Sequence, residues 1–379
     1  MSQLKVVQVV EDLEIGGAER VIETIALGLD SNLFKVEVWC LVKGGKVAES
    51  LAKRGIAVRI LGLTSYYNPA NIFKLAALIR HSRAMIIHSH GYYASTFARL
   101  AAILVRRLII ITHVHTTQYG MRLRNHLIDR LLSRITDKII CISQAVQDFV
   151  VNKEGINPDL TTIIYNGINL PPNTKDSSSQ GNILKLIGLN SNHVVVIVVA
   201  SLQPHKGHKV LIEAFAKIIK KAPHTRLIII GEGPLKDSLS GLVSKKGLSM
   251  YIKFLGEQDN VYQYLSISDL FVLPSIEREG LGLALIEAMA MGLPVIGSDL
   301  GGIKELIAPG SNGRLFQPGN ASELANEMYS IINDEAESKK MGLVGKKMHA
   351  KNFTGTKMVE SISSLYHNLL NKTDAARSL

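Results

Sequence analysis

Cysteine is nearly absent: Cys40 and Cys141 are the only two in 379 residues, and a distant pair offers neither a disulfide framework nor a CxxC-type zinc site. A reducing compartment fits that usage. Aromatic residues make up 6%, and no RNP-like or zinc-finger pattern occurs, so no nucleic acid is expected as a partner. No apolar run approaches the roughly 18 residues of a membrane span; the longest, around Leu108–Ile111 and Val194–Ala200, read as buried strands. The opening MSQLKVVQVVEDLEIGG has an apolar run too short for a signal peptide, with acidic residues directly behind it, so a soluble cytoplasmic protein is expected. The phosphate-binding fingerprints GxGxxG and GxxxxGK[ST] are missing as well.

What is present describes a globular chain. Hydrophobic content of 46% with 20% charged residues excludes disorder, and the length suits two domains, each with its own core. Short β-branched runs alternate with amphipathic stretches, the pattern of parallel sheets with crossover helices. Strands are expected at Lys5–Val10, Lys35–Leu41, Ala57–Leu61, Met85–His88, Leu108–Thr112 and Lys138–Ile142. The rhythm pauses in PPNTKDSSSQGN and restarts with Val194–Ala200, Arg226–Ile230, Ile252–Leu255, Leu270–Leu273 and Pro294–Gly297. Two doubly wound halves, 1–172 and 173–379, follow, and ligands of such sheets sit beyond the carboxyl ends of the strands, in a cleft between the halves. A final helix at about 353–370 carries Met358, Ile362, Leu365, Tyr366 and Leu369 at helical spacing, a stripe that must pack on something.

The net charge of +11 is unevenly spread: residues 1–172 hold 20 Lys/Arg against 13 Asp/Glu. Between Thr64 and Lys138 there are 11 basic residues, including Arg106, Arg107, Arg122, Arg124, Arg130 and Arg134, opposed only by Asp129 and Asp137. That density points to an anionic partner or to a solvated surface. A helix around Met121–Arg134 would turn Leu127, Ile128, Leu131 and Leu132 inward and leave its arginines for an anionic bilayer, so peripheral association with the inner face of the cytoplasmic membrane is expected.

Two segments carry chemistry. Gly16-Gly17-Ala18-Glu19-Arg20 follows the first strand and opens a helix, where free amides and the helix dipole favour an anion, although an ordinary tight turn has the same composition. Pro274–Gly313 places Glu279, Gly280 and Gly282 in a loop after a strand, then a helix from about Leu281 to Met291. The step from Glu279 to Glu287 spans at most about 12 Å, close to the separation of the sugar from the ribose in a nucleotide-sugar.

Glu279-x7-Glu287 within EGLGLALIEAMAMGLPVIGSDLGGIKELI, Gly16-Gly17-Ala18-Glu19-Arg20, Ser143 in DKIICISQAV, Tyr165-Asn166-Gly167, and Lys206-Gly207 in SLQPHKGHKVLIEAFA together resemble the retaining glycosyltransferases of family 4, in order and over nearly the whole chain. The resemblance implies a GT-B fold of two Rossmann-like domains facing across a central cleft. The first would bind the acceptor, the second a nucleotide-sugar donor, and the final helix would cross back to the first. It implies that Glu279 holds the donor sugar, Glu287 the ribose, and Lys206 the diphosphate, assisted by the amides of Gly16, Gly17, Gly280, Leu281, Gly282 and Leu283. It places a histidine near the donor sugar, for which His115 is favoured and His113 is the rival. Ser201 stands where the family commonly has an arginine, so Arg20, Arg278 or His205 would have to supply that charge.

Transfer with retention needs a stabilised diphosphate and a polarised sugar carbon, which a cation, amides and a carboxylate provide. No Asp-x-Asp occurs, so neither a metal nor any other cofactor is expected. The expected activity moves a hexosyl or N-acetylhexosaminyl unit from a nucleotide-sugar, UDP favoured, to a cell-surface polysaccharide or lipid-linked glycan acceptor. Another GT-B activity such as an epimerase, or a dinucleotide-binding oxidoreductase, is the alternative.

Overall fold

The computed structural model describes residues 3–14, 16–63, 68–105, 108–117, 123–171 and 177–375. They form two compact units, one of Met1–Ile168 with Thr354–Leu379, the other of Asn169–Phe353. The first division thus falls after Ile168 rather than at 172, and the residues from Thr354 on belong with the first unit. The cause is local: Ile168 bridges Thr354, and the Gly355 amide donates to the Ile168 carbonyl at 3.1 Å. Tyr165-Asn166-Gly167 is the seat of this junction, since a Cβ on Gly167 would lie 2.1 Å from the Thr354 carbonyl oxygen. Residues 172–176 of the PPNTKDSSSQGN pause lie outside the described residues, and its end opens helix Ser177–Leu186.

In the first unit seven parallel strands, β1 (Leu4–Val10), β2 (Phe34–Cys40), β3 (Ala57–Ile60), β4 (Ile86–His90), β5 (Ile109–Val114), β6 (Lys138–Cys141) and β7 (Thr161–Ile163), lie in the order β3-β2-β1-β4-β5-β6-β7. The second unit repeats this with β8 (Val194–Val199), β9 (Thr225–Ile230), β10 (Ile252–Gly256), β11 (Leu270–Leu273), β12 (Val295–Ser298) and β13 (Gly313–Phe316), ordered β10-β9-β8-β11-β12-β13. Sheets of this kind are covered on both faces, which is why VVVIVV and LFVL are apolar without alternation. In each, the order reverses beside the first strand, at β1/β4 and at β8/β11. The crevice for a ligand opens at that switch point, beyond the carboxyl ends.

β7 and β13 went unread because three or four residues, one of them a glycine, carry little periodicity. β4 and β5 run past the limits read from sequence, to His90 and Val114, because their pairing continues through His90 and His113. The last helix, Gly355–Ala375, buries Met358, Val359, Ile362, Tyr366 and Leu370 in the first unit. A Cβ on Gly28 would meet Val359 at 2.8 Å, so helix Gly17–Gly28 and the last helix touch closely.

Helix Leu123–Leu132 corrects the sequence reading. Leu127, Ile128 and Leu131 are exposed, and of the four apolar residues read as inward only Leu132 is buried. The Arg99 guanidinium, itself buried, is ion-paired with Asp129, which turns that side of the helix inward and the leucines outward. Arg106, Arg107 and Arg122 lie outside the described residues.

Candidate active site

In the second unit the chemistry follows β8 and β11. After β8 the chain makes a short 3₁₀ turn, Pro204–Lys206, closed by Gly207 at φ +68°. Glycine is required twice over there, since a Cβ would sit 1.9 Å from the Pro274 carbonyl oxygen just past β11. That approach, with the Ile276 amide donating to the His205 carbonyl at 2.9 Å, ties the two loops together. It delivers the Lys206 ammonium to Glu279, Nζ to Oε2 at 2.7 Å, and the Ser275 hydroxyl donates to the same oxygen at 2.8 Å. Glu279 is 8% exposed, so it is a carboxylate held in place rather than a solvated one.

Gly280, Leu281 and Gly282 lead into helix Leu283–Met291, which starts two residues later than read, because Gly282 at φ +93° breaks the chain direction. Its first two amides, of Leu283 and Ala284, have no partner further back in the helix, while those of Leu285 and Ile286 reach the Gly282 carbonyl. The loop is clamped from behind: Cβ atoms on Gly301 and Gly302 would lie 2.3 and 2.1 Å from the carbonyl oxygens of Glu279 and Gly280. Glu287 is buried on this helix, and the Tyr262 hydroxyl donates to its Oε1 at 3.1 Å.

In the first unit, the Gly16-Gly17 turn caps helix Gly17–Gly28. The Glu19 carboxyl folds over it, so close that a Cβ on Gly16 would meet Oε2 at 2.2 Å. Burial pushes that carboxyl up, while a bond from its own amide pulls it back. The helix N-terminus is thus already capped from within.

Beside it, β4, β5 and the residue directly after β5 place four imidazoles on one face. His88, His90 and His113 are buried and His115 is half-buried. Rings of His88 and His90 stand 4.4 Å apart, and those of His113 and His115 4.3 Å. His90 Nδ1 lies 3.0 Å from His115 Nε2, and His90 Nε2 3.0 Å from Gln8 Oε1. The Tyr366 hydroxyl of the last helix lies 2.6 Å from His88 Nδ1. Burial holds all four imidazoles below their ordinary range, to about 3 for His88 and about 4 for His115, so the cluster is neutral.

The family described as Glycosyltransferase Family 4 matches residues 15–171, and Glycosyl transferases group 1 matches residues 180–348. The chain belongs to the group 1, family 4 glycosyltransferases. This glycosyltransferase is 28% identical to N-acetyl-alpha-D-glucosaminyl L-malate synthase of Bacillus anthracis over 312 residues, 80% of each chain. It is 25% identical to UDP-Gal:alpha-D-GlcNAc-diphosphoundecaprenol alpha-1,3-galactosyltransferase of Escherichia coli over 313 residues, 79% of each. Its fold is similar to that of Anabaena HepE, solved with UDP and glucose, at a TM-score of 0.87 and 23% identity over 97% of this chain and 100% of that one. The two parallel-sheet α/β domains are those of the GT-B fold.

Within its units the glycosyltransferase brings together Lys206, Glu279 and Ser275, and separately Gln8, His90 and His115. Ser275, Tyr262, Gln8, His88, His90 and Tyr366 were not read as site residues. The signal for the histidines was available: I-I-H-S-H and I-T-H-V-H put polar side chains at period two inside otherwise apolar strands. Ring nitrogens of His88, His90 and His113 fall within 4.8 Å of one another, the spacing of a metal-binding group. They do not fit one as they stand, because His90 has both nitrogens engaged and His88 has Nδ1 engaged. Cys40 and Cys141 are free and buried, which pushes both thiols up to about 12 and removes them as nucleophiles.

Proposed function

We propose that this glycosyltransferase moves a hexosyl or N-acetylhexosaminyl unit, with retention and without a divalent metal, from a UDP-sugar to a lipid-linked or cell-surface glycan acceptor. The observation that carries this reading is the Lys206–Glu279 pair at 2.7 Å beyond β8 and β11, backed by Ser275. An ammonium and a carboxylate that neutralise one another at a ligand crevice can be separated by a ligand that offers hydroxyls to one and phosphate to the other. Glu279 then takes the sugar hydroxyls beside the reacting carbon, Lys206 the diphosphate, and Glu287 the ribose hydroxyls. The amides at Gly280–Leu283 add partial positive charge to the leaving group.

Transfer on the front face needs no separate protein base. The glycosidic C–O bond to the diphosphate breaks, the acceptor oxygen bonds the same face of the sugar carbon, and the departing phosphate oxygen takes the acceptor's proton. A double displacement through a protein carboxylate is the rival, and trapping of a glycosylated carboxylate with a slow donor would favour it. The E. coli relative, named for UDP-Gal and a diphosphoundecaprenol acceptor, supports both the UDP donor and the lipid-linked acceptor. The lack of Asp-x-Asp supports metal independence: activity is expected to survive EDTA, and loss restored by magnesium or manganese would overturn it.

A bilayer partner fits the first unit. Among the described residues no helix is long and apolar enough to cross a membrane, but helix Leu123–Leu132 exposes Leu123, Leu127 and Leu131 beside Arg124 and Arg130. Apolar side chains ringed by arginines suit an anionic interface.

The test is a metal-free thermal-shift panel of UDP, GDP, ADP and NAD on wild type and Glu287→Ala. A ligand at a hundred times its Kd stabilises by about 2.7 kcal/mol. Stabilisation by UDP that disappears in Glu287→Ala is expected; stabilisation by NAD alone would return the oxidoreductase reading. Transfer to an isolated acceptor, with the new linkage's anomer read by NMR, then tests retention.

A further inference from the structure

We propose that Gln8 and His90 are positioning residues that fix the tautomer of His115, so that His115 meets the substrate as a hydrogen-bond acceptor through a bare Nδ1. The use made of it by a donor-sugar hydroxyl rests on the glycosyltransferase reading above; the relay itself rests on three contacts.

The chain starts at Gln8, fully buried on β1. Its Nε2 faces the Ile22 carbonyl oxygen at 3.4 Å, and its Oε1 faces His90 Nε2 at 3.0 Å. The reverse amide orientation would set two carbonyl oxygens against each other, so the end toward His90 is the oxygen, which accepts and cannot donate. His90 Nε2 therefore carries a hydrogen. His90 is neutral in its buried layer, so its Nδ1 holds the lone pair. His115 Nε2, 3.0 Å from that lone pair, must then donate. A neutral His115 that donates from Nε2 has no hydrogen on Nδ1, and Nδ1 is the atom left without a partner.

Each contact determines the next, and none can be reversed alone. A buried bare nitrogen without a partner is costly unless a ligand supplies a donor. A sugar hydroxyl is the donor that the proposed substrate offers. Gln8 is thus a specificity-setting residue that touches no substrate. With the opposite tautomer His115 would present N–H, and would reject a hydroxyl arriving hydrogen-first.

The experiment labels the histidines of the full chain with ¹⁵N and observes the His90–His115 bond by NMR in the ligand-free protein. A proton attached to His115 Nε2 and coupled across the hydrogen bond to His90 Nδ1 is expected. A proton attached to His90 Nδ1 would overturn the proposal whatever the substrate. In Gln8→Met, close in size but with only a weakly accepting thioether in place of the amide oxygen, the relay loses its anchor and the coupling should be lost or averaged. Donors that each lack one sugar hydroxyl give the functional arm. In wild type one of them should lose about tenfold in kcat/KM, the worth of one hydrogen bond, and in Gln8→Met that penalty should shrink. An unchanged penalty and unchanged coupling in a folded Gln8→Met would sink the relay. Absence of any nucleotide-sugar binding, with the wild-type coupling as expected, would instead sink the transferase assignment and leave the tautomer chain standing.

Discussion

Lys206, Ser275 and Glu279 form a charge-neutral cluster in which each member limits the others, so single replacements should act on donor handling first. Lys206→Met leaves the Glu279 carboxylate with only the Ser275 hydroxyl among these partners and removes the cation intended for the diphosphate. A loss of kcat/KM of about 100-fold or more is expected, in the range found when a charge-stabilising donor is removed. A loss within threefold in initial-rate assays would show that the diphosphate is neutralised elsewhere. Gly207 is the backbone counterpart. Gly207→Ala adds a Cβ at 1.9 Å from the Pro274 carbonyl at φ +68°, whereas Gly310→Ala at φ +74° meets nothing within 4 Å. Gly310→Ala should cost about 1 kcal/mol of backbone strain and Gly207→Ala clearly more, with activity lost as β11's end shifts, as urea unfolding and rate assays on both would read. The sequence disclosed Lys206, Glu279 and Glu287 because they stand in one specific string. Gln8–His90 and His88–Tyr366 join residues 82 and 278 positions apart, and only strand register and the return of the last helix bring them together.

Helix Leu123–Leu132 shows why an element's face can escape periodicity. Its apolar positions allow either side to turn inward, and the choice falls to Asp129, whose carboxylate pairs with Arg99, a guanidinium 1% exposed. A buried guanidinium left unpaired costs more than the leucines gain by burial. Arg99→Met should be severe, about 3–5 kcal/mol, because it strands the buried Asp129 carboxylate without its cation. Arg99→Met/Asp129→Leu should recover much of that loss, and equal denaturant midpoints for the single and double variants would refute the pairing as the cause. On the outer face Leu127 and Leu131 are 52% and 59% exposed. Leu127→Asp/Leu131→Asp should leave thermal stability within about 0.5 kcal/mol and abolish sedimentation with anionic liposomes at low salt. Liposome binding equal to wild type would remove the helix from the membrane proposal. The long apolar strands, by contrast, were legible almost residue for residue, since burial on both faces leaves no second choice.

Across the molecule the two sheets share one order, so the fold and both crevices could be foreseen from alternating elements, while the ionisation of the interior could not. Its consequence is a defined pH window for the first unit. His88 and His115 titrate at about 3 and about 4 in the folded chain against 6.5 for the free side chain, and His90 and His113 are held well below it too. Between those values and 6.5 the unfolded chain binds protons that the folded chain refuses. Stability from these groups is therefore complete above about pH 6.5 and is lost as pH falls, by up to about 1.4 kcal/mol per pH unit for each histidine. Glu154 works in the opposite sense. Burial raises its carboxyl to about 8 from 4.5, so the folded state holds its proton and that contribution declines as pH rises through this interval. Stability should peak near neutrality, with a steep acid limb and a shallow alkaline one. His88→Phe/Tyr366→Phe removes one refusing imidazole together with its hydrogen-bond partner, and should flatten the acid limb by about one proton's worth of slope while leaving the alkaline limb alone. Glu154→Gln should flatten the alkaline limb and steepen the acid limb above about pH 4.5, where Glu154 opposes the histidines. Denaturant midpoints measured from pH 4 to 9 separate the two, and an acid limb unchanged in the double variant would mean that the His88 imidazole is already protonated inside the folded unit.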